Sequence, residues 1–274
     1  MICTHTDMSG THSMTRCLIC DGHASHYFTK PDVPGLGANE FWRCGDCGFV
    51  YSKTLRELSE DEFLKLNERC MTDWHGREHN DTDPRWRERM RNQAGAIRIA
   101  ADARLISREL PWLDYACGDG WLADAIGAQK YDPYMGDHRT PPLPVSYGFV
   151  VTTSVFEHFR RWEDFEAVED CVAADGVMSM HTLVVEDVPR DPNWFYLLPM
   201  HCALLTNRAM SVLLSEWGYK CSAYCVPARL WFFFRNRDGV ERKVRQLGWQ
   251  YKDGFCDYWK CEPKRFDRER AATA

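Results

Sequence analysis

The 274-residue chain lacks any uninterrupted apolar run near the roughly 18 to 20 residues that a membrane-spanning helix needs. Lysine is scarce, at 9 residues against 25 arginines, and acidic side chains outnumber basic ones to leave a formal charge of −6. That balance argues against a broad phosphate-binding surface. Internal repeats and low-complexity tracts are missing, which excludes collagen-like and coiled-coil architectures. A content of 45% hydrophobic and 27% charged residues excludes wholesale disorder. The first 16 residues are polar and rich in Thr, His and Ser, with nothing like a secretory signal, and are expected to be disordered. A soluble, cytoplasmic protein is expected.

Cysteine, by contrast, is abundant. Thirteen residues cannot all pair within one chain, and without an export signal they read as thiols or metal ligands rather than a disulfide framework. Four of them stand out. Cys17 and Cys20 form one CxxC pair and Cys44 and Cys47 another, with Gly22, Gly45 and Gly48 beside them. Two such knuckles complete a tetrahedral thiolate site suited to zinc. With no open position for water, that zinc would be structural. Four unrelated buried cysteines or one redox pair are the competing readings. Cys256 and Cys261 are too loosely spaced for a knuckle.

Composition divides the chain into five parts: a disordered stretch (1–16), a zinc-binding module (17–53), a helical linker or substrate-side cap (54–110), an alternating α/β segment (111–237) and an aromatic-rich extension (238–274). In the α/β segment, strands are expected at 112–116, 130–132, 149–154 and 177–185. Helices are expected at 121–127, 162–173 and 207–217, the last capped by Gly218. A proline loop covers 140–144. Residues 219–226 and 230–234 read as an antiparallel pair at the end of the sheet. In the extension, Trp249, Tyr251, Phe255, Tyr258 and Trp259 argue for packing on the domain, with 265–274 frayed.

The segment LDYACGDG, residues 113–120, follows a strand and opens a helix at Trp121. Glycines there let the backbone approach a ligand, and the helix start offers free N–H groups. Twelve residues after Gly120, Asp132 ends the next strand, where an acid can accept both hydroxyls of a ribose. With FVVTTSVFEHF (149–159), Asp175-Gly176-Val177-Met178 and HCALLTNRAMSVLLSEWGY (201–219), this region resembles the class I S-adenosylmethionine-dependent methyltransferases. The two-knuckle module is similar to one carried by a subset of that family.

The resemblance implies an α/β fold, a Rossmann-like class I methyltransferase sheet with an antiparallel C-terminal hairpin, preceded by the zinc module. It implies that S-adenosylmethionine meets Asp114, Ala116, Cys117, Gly118, Gly120, Trp121, Asp132, Pro133 and Ser154. The pattern departs from the family at three points. Ala116 stands where the first glycine is usual, and Gly148 stands where an Asp is usual. The short span between Asp132 and Phe149 leaves no evident third strand, with Asp137 the one candidate for an adenine-contacting acid.

Ligands in open α/β sheets sit beyond the carboxyl ends of the strands. Glu157, His158, His181 and His201 are expected there, and can supply a general base that takes the acceptor's proton during methyl transfer. Glu157-His158 with the later His201 also resembles the divalent-metal arrangement of small-RNA 2′-O-methyltransferases and, in part, ubiquinone-pathway O-methyltransferases. Those have a further Glu three positions earlier, where this chain has Ser154.

Asp83-Pro84 reads as a helix start, followed by Arg85, Arg87, Arg89, Arg91, Arg98, Arg104 and Arg108, with Ile97, Ala101 and Leu105 as an apolar stripe. A solvated helix face is the plain reading, and contact with a phosphate-bearing acceptor the sharper one. His75 and His79 in the preceding loop are candidate acceptor contacts, as is the aromatic run Asn193-Trp194-Phe195-Tyr196, which reads equally as core. The expected function is methyl transfer to a heteroatom, chiefly a hydroxyl, of a small polar metabolite such as a sugar, nucleotide sugar or natural-product intermediate. Modification of nucleic acid or nucleotides, and a non-catalytic interaction platform, are the alternatives. Nucleic acid is disfavoured by the overall acidity and no membrane partner is expected.

Overall fold

Two buried runs bearing aromatic residues form the centre of the molecule. Trp112–Tyr115 (β4) is buried along its whole length and Tyr147–Thr153 (β6) along all but its last residue. Continuous burial is what a parallel strand covered on both faces requires. The computed structural model describes residues 15–73, 84–134, 138 and 146–257.

Around these strands lies a seven-stranded sheet. Gln129–Tyr131 (β5) flanks β4 on one side, and β6 and Val172–His181 (β7) follow on the other, all parallel. Leu230–Phe234 (β11) then runs antiparallel to β7, Cys221–Cys225 (β10) antiparallel to β11, and Gln250–Asp253 (β12) antiparallel to β10. The spatial order is β12-β10-β11-β7-β6-β4-β5. The chain leaves β4 toward β5 and returns to β6, so the topological switch point of this Rossmann-like sheet lies at the carboxyl end of β4. Among the described residues no strand separates β5 from β6 in sequence.

Helix Pro84–Asp102 (α3) covers one face of the sheet, burying Met90, Ala94 and Ile97 against Trp112, Phe149 and Phe232. Trp121–Ile126 (α4) packs beside it. On the other face lie Trp162–Glu169 (α5) and Asn207–Glu216 (α6), with Phe165 and Leu213 in a core shared with Met178, Trp231 and Phe233.

A second sheet begins in the cysteine-rich region. Ala24–Val33 (β1) and Gly37–Cys44 (β2) form a hairpin, and Val50–Ser52 (β3) continues it. Its remaining strands come from far along the chain: Ala203–Thr206 (β9) pairs antiparallel with β3, and Val184–Val185 (β8) pairs with β9. Two short helices, Lys53–Glu57 (α1) and Glu60–Asp73 (α2), follow β3.

Several elements differ from their expected bounds. The strand expected over 177–185 starts five residues earlier and stops at His181; Val184 and Val185 have turned away into the other sheet. Asp175 and Gly176 therefore lie within β7. A side chain at Gly176 would meet the Tyr147 carbonyl at 2.8 Å, beside the register shift between β6 and β7. The helix expected over 162–173 ends at Glu169 because Val172 has joined the sheet. The hairpin β10–β11 is not the sheet edge. Val240–Gln246 (α7) and β12 extend the structure beyond it, and Trp249 stacks on Phe232 at 5.2 Å and Phe255 on Trp231 at 5.5 Å. Asp83, the loop 140–144, Asp137, Tyr258, Trp259 and Cys261 lie outside the described residues, as do His75 and His79.

Candidate functional site

The four paired cysteines converge. Cys17, Cys20, Cys44 and Cys47 place their sulfurs within 4.8 Å of one another. Sγ of Cys17 lies 3.5 Å from that of Cys47, and Sγ of Cys20 lies 3.5 Å from that of Cys44. A tetrahedral zinc with bonds of about 2.3 Å separates its sulfurs by about 3.8 Å, so the cluster has the dimensions of a thiolate zinc site. Each sulfur also accepts an amide N–H from two residues on: Ile19, Gly22, Asp46 and Phe49. The knuckles need their glycines for different reasons. Gly48 is left-handed at φ 72, whereas a side chain at Gly22 would strike the Asp46 carboxylate at 2.2 Å.

At the switch point, the turn after β4 is left-handed at Ala116 (φ 57), Gly118 (φ 58) and Gly120 (φ 78). Cys117 N–H donates to the Tyr131 carbonyl at 3.1 Å, which pins the turn to β5. The carboxylate of Asp132, which is 6% exposed, accepts N–H bonds from Gly118 and Tyr134, both at 2.8 Å. Space within 4 Å of Gly118 is open where a side chain would project. Trp121 starts α4 with its ring partly exposed, edge-on to Trp86 of α3. Pro133 is half-buried beside Asp132. Asp114 is fully buried in β4, and its Oδ1 has no partner among the described residues. Burial pushes its carboxyl up to about 8. Gln93 on α3 is 0% exposed and neither atom of its amide is hydrogen-bonded among the described residues.

At the carboxyl end of β6, Ser154 is left-handed at φ 59, and a 3₁₀ turn, Phe156–His158, follows. Glu157, His158 and His201 bring a ligand atom each within 4.8 Å of the others. The Glu157 carboxylate is 3% exposed and accepts from Thr182 Oγ1 at 2.8 Å and from the Tyr196 hydroxyl at 2.9 Å. The Tyr196 carbonyl accepts from His201 Nδ1 at 2.7 Å, which fixes the tautomer with the proton on Nδ1. The two imidazoles meet edge-to-face at 5.1 Å. Burial lowers the pKa of His158, opposed by the neighbouring Glu157. Met200 and Cys202, on either side of His201, pack under Leu55, Phe63 and Leu66, so α1 and α2 roof this site.

His181 is not part of that trio. It ends β7 on the face covered by α3, with Nδ1 donating to the Arg229 carbonyl at 2.7 Å and Nε2 lying 3.5 Å from Arg89. Burial, reinforced by Arg89, pushes its pKa down to about 3. The arginines around α3 therefore do not share one fate. Arg85, Arg87, Arg91 and Arg98 are largely exposed, Arg89 turns inward, and Arg104 and Arg108 lie beyond the helix end. Of the expected stripe, Ile97 and Leu105 are buried and Ala101 is half-buried.

Several functional candidates carry little trace in the sequence. Thr182 has no signal there, and Tyr196 is indistinguishable from a core aromatic. Arg160 is 3% exposed, lies over Phe63 at 3.9 Å and donates to the carbonyls of Leu55 and Leu58 and to Glu60, tying the roof to the Glu157 turn. Its position two residues after His158 is the one hint.

No protein-family model and no curated protein matches the chain. Among solved structures it is similar to S-adenosylmethionine-dependent methyltransferases. One is from Thermotoga maritima, at 10% identity and TM-score 0.41, covering 64% of this chain and 100% of that one. Another is the plantazolicin methyltransferase in complex with S-adenosylhomocysteine, at 13% identity and TM-score 0.43, covering 67% and 98%. A third is the complex of a methyltransferase with the Haloferax volcanii Trm112 methyltransferase activator, at 13% identity and TM-score 0.40, covering 73% and 100%. These are likenesses of outline only.

Proposed function

We propose that the protein is an S-adenosylmethionine-dependent methyltransferase acting on a heteroatom, foremost a hydroxyl, of a small polar metabolite such as a sugar, nucleotide sugar or natural-product intermediate. The observation that carries this reading is the cradle at the switch point: a left-handed glycine turn, an acid held at the end of β5, and a buried carboxyl with an unpartnered oxygen. Each oxygen of Asp132 accepts one backbone N–H, which fixes the carboxylate at the end of β5, where an acid can meet the hydroxyls of a ribose. Asp114 can meet the cofactor's ammonium group. Ala116, Cys117, Gly118, Gly120, Trp121, Pro133 and Ser154 would form the surrounding walls. When bound, the cofactor supplies an electrophilic methyl group on a sulfonium.

His158 is the proposed base. Its lowered pKa keeps the ring neutral at pH 7, as a proton acceptor must be, and Glu157 beside it favours the imidazolium that results. His201, held by the Tyr196 carbonyl, would orient the acceptor, since positioning supplies much of the barrier reduction in such transfers. His181, neutral beside Arg89, would shape the acceptor side rather than titrate. The exposed arginines of α3 would suit an acceptor that carries phosphate.

One observation favours a second reading of the same trio. Two histidines and a carboxylate gather within 4.8 Å, which is a donor set for a divalent metal that would lower the pKa of an acceptor hydroxyl. The four-thiol cluster is read as structural zinc. Its reduced thiols fit the cytoplasm, with residues 17–53 as the metal module and 111–237 as the cofactor domain.

Incubation with S-adenosylmethionine labelled on its methyl group and a panel of sugars, nucleotide sugars and phenols tests the reading. Label should move to an acceptor with the wild type and drop about 10²- to 10⁴-fold with His158→Ala. Cofactor binding without transfer to any acceptor would instead support a non-catalytic platform.

A further inference from the structure

Thr182 and Tyr196, which hold Glu157, and His201 of its cluster all lie on one stretch of chain, 182–206, and that stretch belongs structurally to the cysteine region. Its two strands, β8 and β9, extend the sheet of β1, β2 and β3. Residue pairs Val50↔Leu204 and Tyr51↔Ala203 join β3 to β9, and Ser52 N–H donates to the Cys202 carbonyl at 2.8 Å. The Thr206 hydroxyl donates to the carbonyl of Cys47, a knuckle cysteine, at 2.7 Å. Between these points, the Tyr27 hydroxyl donates to the Val188 carbonyl at 2.8 Å and Lys30 to the Leu197 carbonyl at 2.7 Å. Phe28, Phe41 and Val50 share a core with Val185, Val188, Leu197 and Leu204.

The cofactor side is held differently. Its turn is pinned by β5 through Cys117 and Asp132, and its buried carboxyl sits in β4 of the other sheet. The acceptor side meets that framework at the turn, where Cys202 N–H donates to the Glu157 carbonyl at 2.6 Å, and in a core where Val184, Ala203 and Leu205 cluster with Met178 and Trp231.

We propose that the four-thiol centre assembles the acceptor half of the site, with Ser52 and Thr206 as the positioning residues that transmit its state to His201 and the 182–206 stretch. The proposal rests on reading the thiols as a zinc site and the trio as the acceptor site. β3 is only three residues long and begins three residues after Cys47. A strand that short is not stable on its own, and metal binding at such thiols is itself folding free energy. With the second knuckle fixed, β3 and the Cys47 carbonyl present a fixed edge to β9. Without it, that edge and the segment docked on it lose their template, while the face of the seven-stranded sheet under α3 keeps a separate core of Ile97, Trp112, Phe149 and Phe232.

The test uses the full chain, assayed for zinc by mass spectrometry and examined by hydrogen exchange before and after zinc is withdrawn with a chelator. Amides of Val184, Val185 and residues 202–206 should exchange at least about tenfold faster in the stripped protein, while β4 and β6 keep their protection and zinc restores the rest. Calorimetry with S-adenosylmethionine should give an affinity changed by no more than about twofold. In the zinc-replete protein, Thr206→Val should speed exchange at 202–205 without releasing the metal. Unchanged protection at 202–206 after stripping overturns the coupling yet leaves zinc in place. Loss of the whole seven-stranded sheet overturns it too, by showing one cooperative unit. A protein purified without zinc defeats both the coupling and the metal reading. Because metal content and exchange decide among these, failure of the cofactor to bind even the zinc-replete protein would count only against the methyltransferase reading.

Discussion

Tyr196 donates its hydroxyl hydrogen to Glu157 Oε1 at 2.9 Å, and its backbone carbonyl accepts a hydrogen bond from Nδ1 of His201 at 2.7 Å. One residue thus sets the carboxylate and the imidazole of the same cluster. The same hydroxyl accepts the Leu183 N–H at 3.1 Å, so its orientation is determined from two sides. Tyr196→Phe leaves a buried carboxylate oxygen without that donor. Stability should fall by about 1 to 3 kcal/mol in a denaturant titration, since the desolvation cost of an unpaired buried group is incurred in full.

Ala116 occupies a left-handed position at φ 57, where L residues are strained by roughly 1 to 2 kcal/mol. Ala116→Gly removes that strain and adds unfolded-chain entropy of about 0.4 to 1 kcal/mol. The melting temperature should therefore hold or rise. A clear drop, as seen for glycine in a helix, would contradict the strain.

Asp114 makes stability depend on pH. Burial raises its folded-state pKa to about 8, well above that of an unfolded aspartate, so between roughly pH 4 and 8 the folded protein binds the extra proton. Stability contributed by that proton is present at low pH and lost as pH rises through this window, by at most about 1.4 kcal/mol per unit. Asp114→Asn should flatten this part of the profile. If the carboxylate meets a cationic ammonium, cofactor affinity of the wild type should rise with pH across the same range.

His181 has the opposite sign. Its pKa is pushed down to about 3, so the ring stays neutral in the folded protein while an unfolded histidine protonates below about pH 6.5. The stability it contributes is present above that pH and is lost as pH falls toward the folded value. Nuclear magnetic resonance should show no His181 titration between pH 5 and 8.

The sequence made visible whatever rests on local spacing. The CxxC pairs, the glycine turn before Trp121 and the parallel runs at 112–116 and 149–154 each carry their pattern within a few residues. What it hid depends on distant partners. β9 is four residues long and is defined by pairing with β3, some 150 residues away, which no periodicity in 203–206 announces. Thr182 and Tyr196 gain their roles only because β7 ends at His181 and the chain crosses to the second sheet. Arg89 sits among six other arginines, and only packing decides that it turns toward His181.

The measurement that tests the central claim most directly is calorimetric titration of the zinc-replete protein with S-adenosylmethionine, beside Asp132→Ala. Binding by the wild type that is lost in the variant is the predicted result, because Asp132 both receives the Gly118 N–H and faces the proposed ribose. Heat-silent titrations of both proteins, with acceptor candidates present as well as absent, would contradict the assignment of this cradle to the cofactor.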